Sequence, residues 1–138
     1  MADPTIFLPA LWLMAITIVL FVFMYRVRVA LVRSGEVKAS EFKTYENEPS
    51  QSRKWSRAIS NQFETPVIFY ALCLIAYVTS SVDGIMLALA WAFVAVKTVH
   101  IYVHTSQNRL RYRQPIFALS LLILLLMLAW VAVKVLSA

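Results

Sequence analysis

An all-α fold, an integral membrane four-helix bundle, is predicted by three observations. Apolar residues make up 61% of the chain, mean hydropathy is +0.72, and four long apolar stretches fill most of the 138 residues. The chain reads as one membrane domain over residues 1–138.

The first helix is expected over about residues 6–25. Residues 1–25 contain no Lys or Arg and so lack the basic start of a secretory signal, which makes this a permanent span. The second stretch is shorter, since only residues 67–78 are strongly apolar after Pro66, about twelve where a span needs about twenty. It must borrow the preceding turns, giving a helix over about 58–79 that continues through Pro66 with a kink; the alternative, Thr65 capping a helix that begins at Pro66, is opposed by this span length. The third and fourth helices are expected over about 85–104 and 116–136, each about 30 Å long at about 1.5 Å per residue, with Pro115 opening the fourth.

Charge sets the topology. The 26–57 stretch carries Arg26, Arg28, Arg33, Lys38, Lys43, Arg53, Lys54 and Arg57, and the 105–115 loop carries Arg109, Arg111 and Arg113. Both read as cytoplasmic loops, and both termini fall on the non-cytoplasmic side. The polar region over about 29–55 reads as a loop or partly helical hairpin, broken near residues 48–52. Trp12, Tyr25, Trp55, Tyr112 and Trp130 lie near span ends, as interfacial anchors do.

The net charge of +6 follows from the same positive-inside bias, so contact with membrane lipid is expected and a nucleic-acid partner is not. Cys73 is the single cysteine, so one chain can build neither a disulfide framework nor a cysteine metal site, and no metal is expected.

The chemistry-bearing run is Arg57-Ala58-Ile59-Ser60-Asn61-Gln62-Phe63-Glu64-Thr65-Pro66. In a continuous helix, spacings of four and three put Arg57, Asn61 and Glu64 on one stripe. Counted from residue 58, Asn61 lies about 4 to 5 Å deep and Glu64 about 9 Å deep. Lys97, His100 and His104 form a second stripe on the third helix, with His100 about 6 Å and Lys97 about 10 to 11 Å from its basic end. The two ladders match in level, so a Glu64–Lys97 ion pair is expected. Such seams can lock helices together, yet intramembrane ionisable residues most often line a substrate or ion path.

These residues resemble the membrane-associated proteins in eicosanoid and glutathione metabolism, the MAPEG family. Arg57-x-x-x-Asn61-x-x-Glu64 with Pro66 close behind is similar to its second-helix motif, and Lys54 resembles a basic position there. Lys97-x-x-His100 looks like the third-helix basic-x-x-His, Arg113 like the basic residue before the fourth-helix proline, and Arg26 and Arg28 like the basic cluster ending the first helix. The resemblance implies a homotrimer that holds glutathione as cosubstrate between subunits near the cytoplasmic face. Arg26, Arg57, Asn61, Glu64, His100 and His104 would bind it, and Arg113 would be the catalytic residue stabilising the thiolate, with Arg109 and Arg111 as alternatives. Two departures stand out: Phe117 where eicosanoid-type members carry arginine, and His104 where a tyrosine is common.

The expected function is a glutathione-dependent membrane transferase or peroxidase acting on a lipophilic small-molecule substrate. The alternatives are a catalytically silent trimeric relative and a small proton-linked transporter using Glu64, Lys97 and the histidines. The bare Leu136-Ser137-Ala138 end shows no sorting signal, which favours a bacterial inner membrane.

Overall fold

The computed structural model describes residues 3–44, 48–106 and 109–137, and every regular element among them is helical. Asp3 starts the fold: its Oδ1 accepts from the Thr5 amide at 2.9 Å while Pro4 sets the first turn. Helix α1 (Phe7–Arg33) follows and runs past the expected end at residue 25. Residues 26–33 contain no Gly or Pro to stop it. The stop comes at Gly35, whose φ of 77° suits glycine and whose amide donates to the Val32 carbonyl at 3.2 Å.

After a short turn at Ala39–Lys43, α2 (Ser50–Ser60) begins behind Pro49 and passes into a 3-10 turn at Asn61–Phe63. Here the expectation of one helix over 58–79 is corrected. Glu64, with φ −103° and ψ −101°, leaves the helical region, and α3 (Thr65–Val78) restarts with Pro66 in its first turn. Proline lacks an amide to donate backwards but suits a helix start, so the chain breaks there rather than kinking. The segment Ser50–Val78 is nonetheless long and apolar enough as a unit to cross a membrane.

The end of α3 is closed by Ser80, at φ 52°. Its amide donates to the Tyr77 carbonyl at 3.1 Å, and the Ser81 amide donates to that of Ala76 at 2.8 Å. This pair of bonds is a Schellman closure with serine in the place usually taken by glycine. Asp83 then caps α4 (Gly84–Thr105), accepting from the Met86 amide at 2.9 Å. Helix α5 (Leu110–Leu136) begins earlier than expected, so Pro115 lies inside it rather than opening it. A proline so near the helix start forfeits a single backbone bond, which the extra turn tolerates.

Four segments are long and apolar enough to span a bilayer: Pro4–Arg33, Ser50–Val78, Gly84–Thr105 and Leu110–Leu136. The chain is a multi-pass integral membrane protein. Helix α4 packs most extensively on α5, α1 packs against α2 and α4, and α3 rests on α5. Their shared core holds Ile6, Leu13, Phe69, Ala76, Met86, Ala90, Phe93 and Met127, with the Phe69 and Phe93 rings stacked at 4.6 Å. Leu11, Trp12, Ile18, Leu125 and Leu128 point outward, as lipid-facing side chains do.

One polar clamp joins α1 to α2. Arg28 Nη2 donates to Glu48 Oε1 at 2.7 Å, and Ser52 and Ser56 donate to the same oxygen at 2.5 and 2.6 Å. Glu48 is buried, and Arg28 also lies over the Phe42 ring at 5.1 Å.

Candidate functional site

Three helix ends converge at the basic end of the bundle: the α2–α3 junction, the last turns of α4 and the first turns of α5. Between them lies an open cleft of about 480 Å³ lined by Asn61, Glu64, His100, Leu110, Arg113, Gln114 and Phe117. Four of the expected site residues are thus brought together: Asn61, Glu64, His100 and Arg113. The break at Glu64 disrupts the continuous helical stripe, yet the 3-10 turn keeps Asn61 and Glu64 on one wall. Asn61 is held by its Nδ2, which donates to the Arg57 carbonyl at 2.9 Å.

The second stripe survives intact. Lys97, His100 and His104 are all fully buried on one face of α4. The His100 ring lies 5.9 Å from that of His104 and 5.9 Å from that of Phe117. None of the four imidazole nitrogens has a hydrogen-bond partner among the described residues. Each can donate or accept, so His100 brings unspent hydrogen-bonding capacity to the cleft wall.

The expected ion pair between Glu64 and Lys97 is not formed. Lys97 Nζ donates instead to Thr65 Oγ1 at 2.9 Å and lies 5.7 Å from the Phe117 ring centre. The ion pairs among the described residues are Arg28–Glu48 and Lys134–Asp83. Glu64 begins the break in the chain and its side chain is exposed, whereas Thr65 turns inward at the start of α3 and meets the ammonium. The carboxylate therefore stays in the cleft.

The remaining expected residues do not line the cleft. Arg57 is exposed one turn before Asn61, and His104 lies one turn beyond His100. Arg26 lines a separate groove on α1 with Tyr25, Val29, Ala30 and Arg33. Arg109 and Arg111 are exposed at the start of α5. Sequence reasoning missed Leu110 and Gln114, which line the cleft because α5 starts five residues before Pro115. The signal was available, since Leu110, Gln114 and Phe117 share a helical face with spacings of four and three.

A cleft with a guanidinium, a carboxylate, an amide and an unpaired imidazole around an aromatic floor can hold a small zwitterionic or anionic molecule. Arginine offers a planar fork to a carboxylate and stabilises a thiolate over a thiol. The chain matches no curated protein and no solved structure. The MAPEG family model matches residues 6–133, nearly the whole chain, with the second-helix, third-helix and fourth-helix positions described above all inside the match. The chain is a member of the MAPEG family.

Proposed function

We propose that this protein is a glutathione-dependent membrane transferase or peroxidase acting on lipophilic electrophiles. The observation that carries this reading is the meeting of Asn61, Glu64, His100 and Arg113 in one cleft at the basic end of the bundle. Family membership supports it, since the family includes glutathione transferases and peroxidases.

In this reading Arg57 and Asn61 take the carboxylates and backbone of the tripeptide, and Glu64 attracts its amino group. His100 supplies a hydrogen bond from behind. Arg113 faces the sulfur and lowers the cost of ionising it. The thiolate then attacks an electrophilic carbon, forming a thioether and displacing a leaving group or adding across an activated double bond. The charged tripeptide enters from water at the basic end, taken as the cytoplasmic face, while an apolar electrophile enters from the bilayer. A homotrimer, general in the family, would put a neighbouring subunit beside the cleft; Arg26 joins the site only from such a neighbour.

The test is steady-state conjugation of glutathione to a lipophilic electrophile by the purified protein in lipid nanodiscs. Arg113→Ala should lower kcat about a hundredfold, the cost of removing one charge-stabilising donor, while Asn61→Ala should chiefly raise KM. Rates equal to the uncatalysed reaction, with glutathione bound normally, would favour a catalytically silent member. Phe117 in the cleft lining, where eicosanoid-type members carry arginine, is the observation on that side.

A further inference from the structure

One polar group in the cleft has no task in an account built on charge. Leu110, Arg113, Gln114 and Phe117 share one face of α5 and all line the cleft, so two polar side chains stand between two apolar ones. Gln114 is exposed, and its carboxamide has no hydrogen-bond partner among the described residues. It therefore offers the cleft an acceptor oxygen and an amide donor side by side in one plane. Asn61, across the cleft, is more constrained: a carbonyl only accepts, so the Arg57 carbonyl fixes its amide nitrogen at 2.9 Å.

A flat donor–acceptor fork matches one element of a peptide closely. In an extended chain a residue's own N–H and C=O point to the same side, the arrangement that lets two strands exchange a pair of bonds. A carboxamide can take both at once. A simple thiol carries no such pair.

The position of Gln114 selects which residue of the peptide it meets. Arg113 and Gln114 are neighbours, separated by about 1.5 Å along the helix and about 100° around it. They lie at one depth but face different flanks of the cleft. With the sulfur held at Arg113, the N–H of the residue that follows the cysteinyl unit is four covalent bonds away, about 4 to 5 Å. Glu64, which attracts the amino group, stands on the opposite wall, so the carboxyl-terminal end of the peptide runs toward α5.

We propose that Gln114 is a specificity-determining residue that clasps the carboxyl-terminal residue of a thiol peptide. Its Oε1 accepts the N–H of that residue, and its Nε2 donates to the carboxylate of the same residue. The cleft thereby selects a thiol extended by an amide-linked amino acid. This inference rests on the glutathione reading and assigns a residue to the glycyl end of the tripeptide.

The experiment is calorimetric titration of the full-length protein in lipid nanodiscs with two thiols, glutathione and an analogue whose cysteinyl–glycyl amide is replaced by an ester. The exchange removes one N–H and keeps the thiol, the amino group and both carboxylates. Wild type should bind glutathione about fivefold more tightly than the ester, the factor one hydrogen bond supplies. Gln114→Leu should bring the ratio close to one, chiefly by weakening glutathione. Gln114→Glu, which keeps an acceptor but repels the carboxylate, should bind both thiols more weakly and retain the preference for the amide. Equal binding of the two thiols by wild type, an unaltered ratio in Gln114→Leu, or loss of the preference in Gln114→Glu would each overturn this proposal while leaving glutathione binding in place. Absence of any glutathione binding to wild type would overturn the glutathione reading itself, and this proposal with it.

Discussion

Asp83 concentrates several tasks in a single carboxylate. It caps α4 through the Met86 amide, accepts from Trp130 Nε1 at 3.1 Å and pairs with Lys134 Nζ at 3.0 Å, so it ties α4 to α5 at the end remote from the cleft. The Met86 amide bond, reinforced by Lys134 and Trp130 against slight burial, holds its carboxyl below the ordinary 3.8. A group depressed on folding stabilises the fold above its unfolded pKa and loses that contribution as pH falls through the folded one. Thermal unfolding of wild type should therefore steepen below about pH 4, and Asp83→Asn should show less of this acid limb. Asp83→Ala should cost about 1 to 2 kcal/mol at neutral pH.

Glu48 obeys the same sign. Burial pushes its carboxyl up, but the Ser52 and Ser56 hydroxyls and the Arg28 guanidinium outweigh this and hold it below 4.5. Glu48→Ala removes the carboxylate from a partly buried guanidinium that keeps only Ser52 and Ser56 as hydrogen-bond partners, for about 1 to 2 kcal/mol of destabilisation measured by thermal unfolding, discounted because Arg28 remains partly solvated. Partner choice of this kind was hard to read from the chain. Arg28 and Glu48 lie 20 residues apart with no periodicity to connect them. The local half was visible, since Glu48, Ser52 and Ser56 recur every four residues.

At the scale of elements, apolar runs located all four crossing segments, because hydrophobic length is dictated by the bilayer. Element ends were less legible. Residues 26–33 read as loop because they are basic, but charge is no barrier to helix where no breaker intervenes. The junction at Glu64 turned on whether Pro66 kinks a helix or starts one; span length alone could not decide, since α2, the 3-10 turn and α3 together satisfy it. Asn61 and Glu64 share a wall in either geometry, whereas the Glu64–Lys97 pair does not form, because the break turns Thr65 inward. The closure after α3 offers its own test. Ser80 holds a left-handed conformation that costs an L-residue about 1 to 2 kcal/mol. Ser80→Gly should stabilise by somewhat less than that, about 0.5 to 1 kcal/mol after the greater freedom of unfolded glycine, seen as a raised unfolding temperature.

For the whole molecule, four crossings place both termini on one face, and the basic residues of the α1–α2 connection and the α5 start lie on the other. From positive-inside bias we propose that this other face is cytoplasmic. A C-terminal alkaline phosphatase fusion should be active and a C-terminal fluorescent-protein fusion dark in a bacterial host; the reverse pattern would invert the topology. In the proposed function, the same orientation would put the cleft where a water-soluble thiol and a membrane-dissolved electrophile can meet. Its most direct test is calorimetric titration of glutathione into the purified protein, without electrophile. Saturable binding at or below millimolar glutathione, lost or weakened at least tenfold in Arg57→Ala and Asn61→Ala but kept in Lys43→Ala, is the predicted result. No saturable binding to wild type, or binding indifferent to both substitutions, would contradict it.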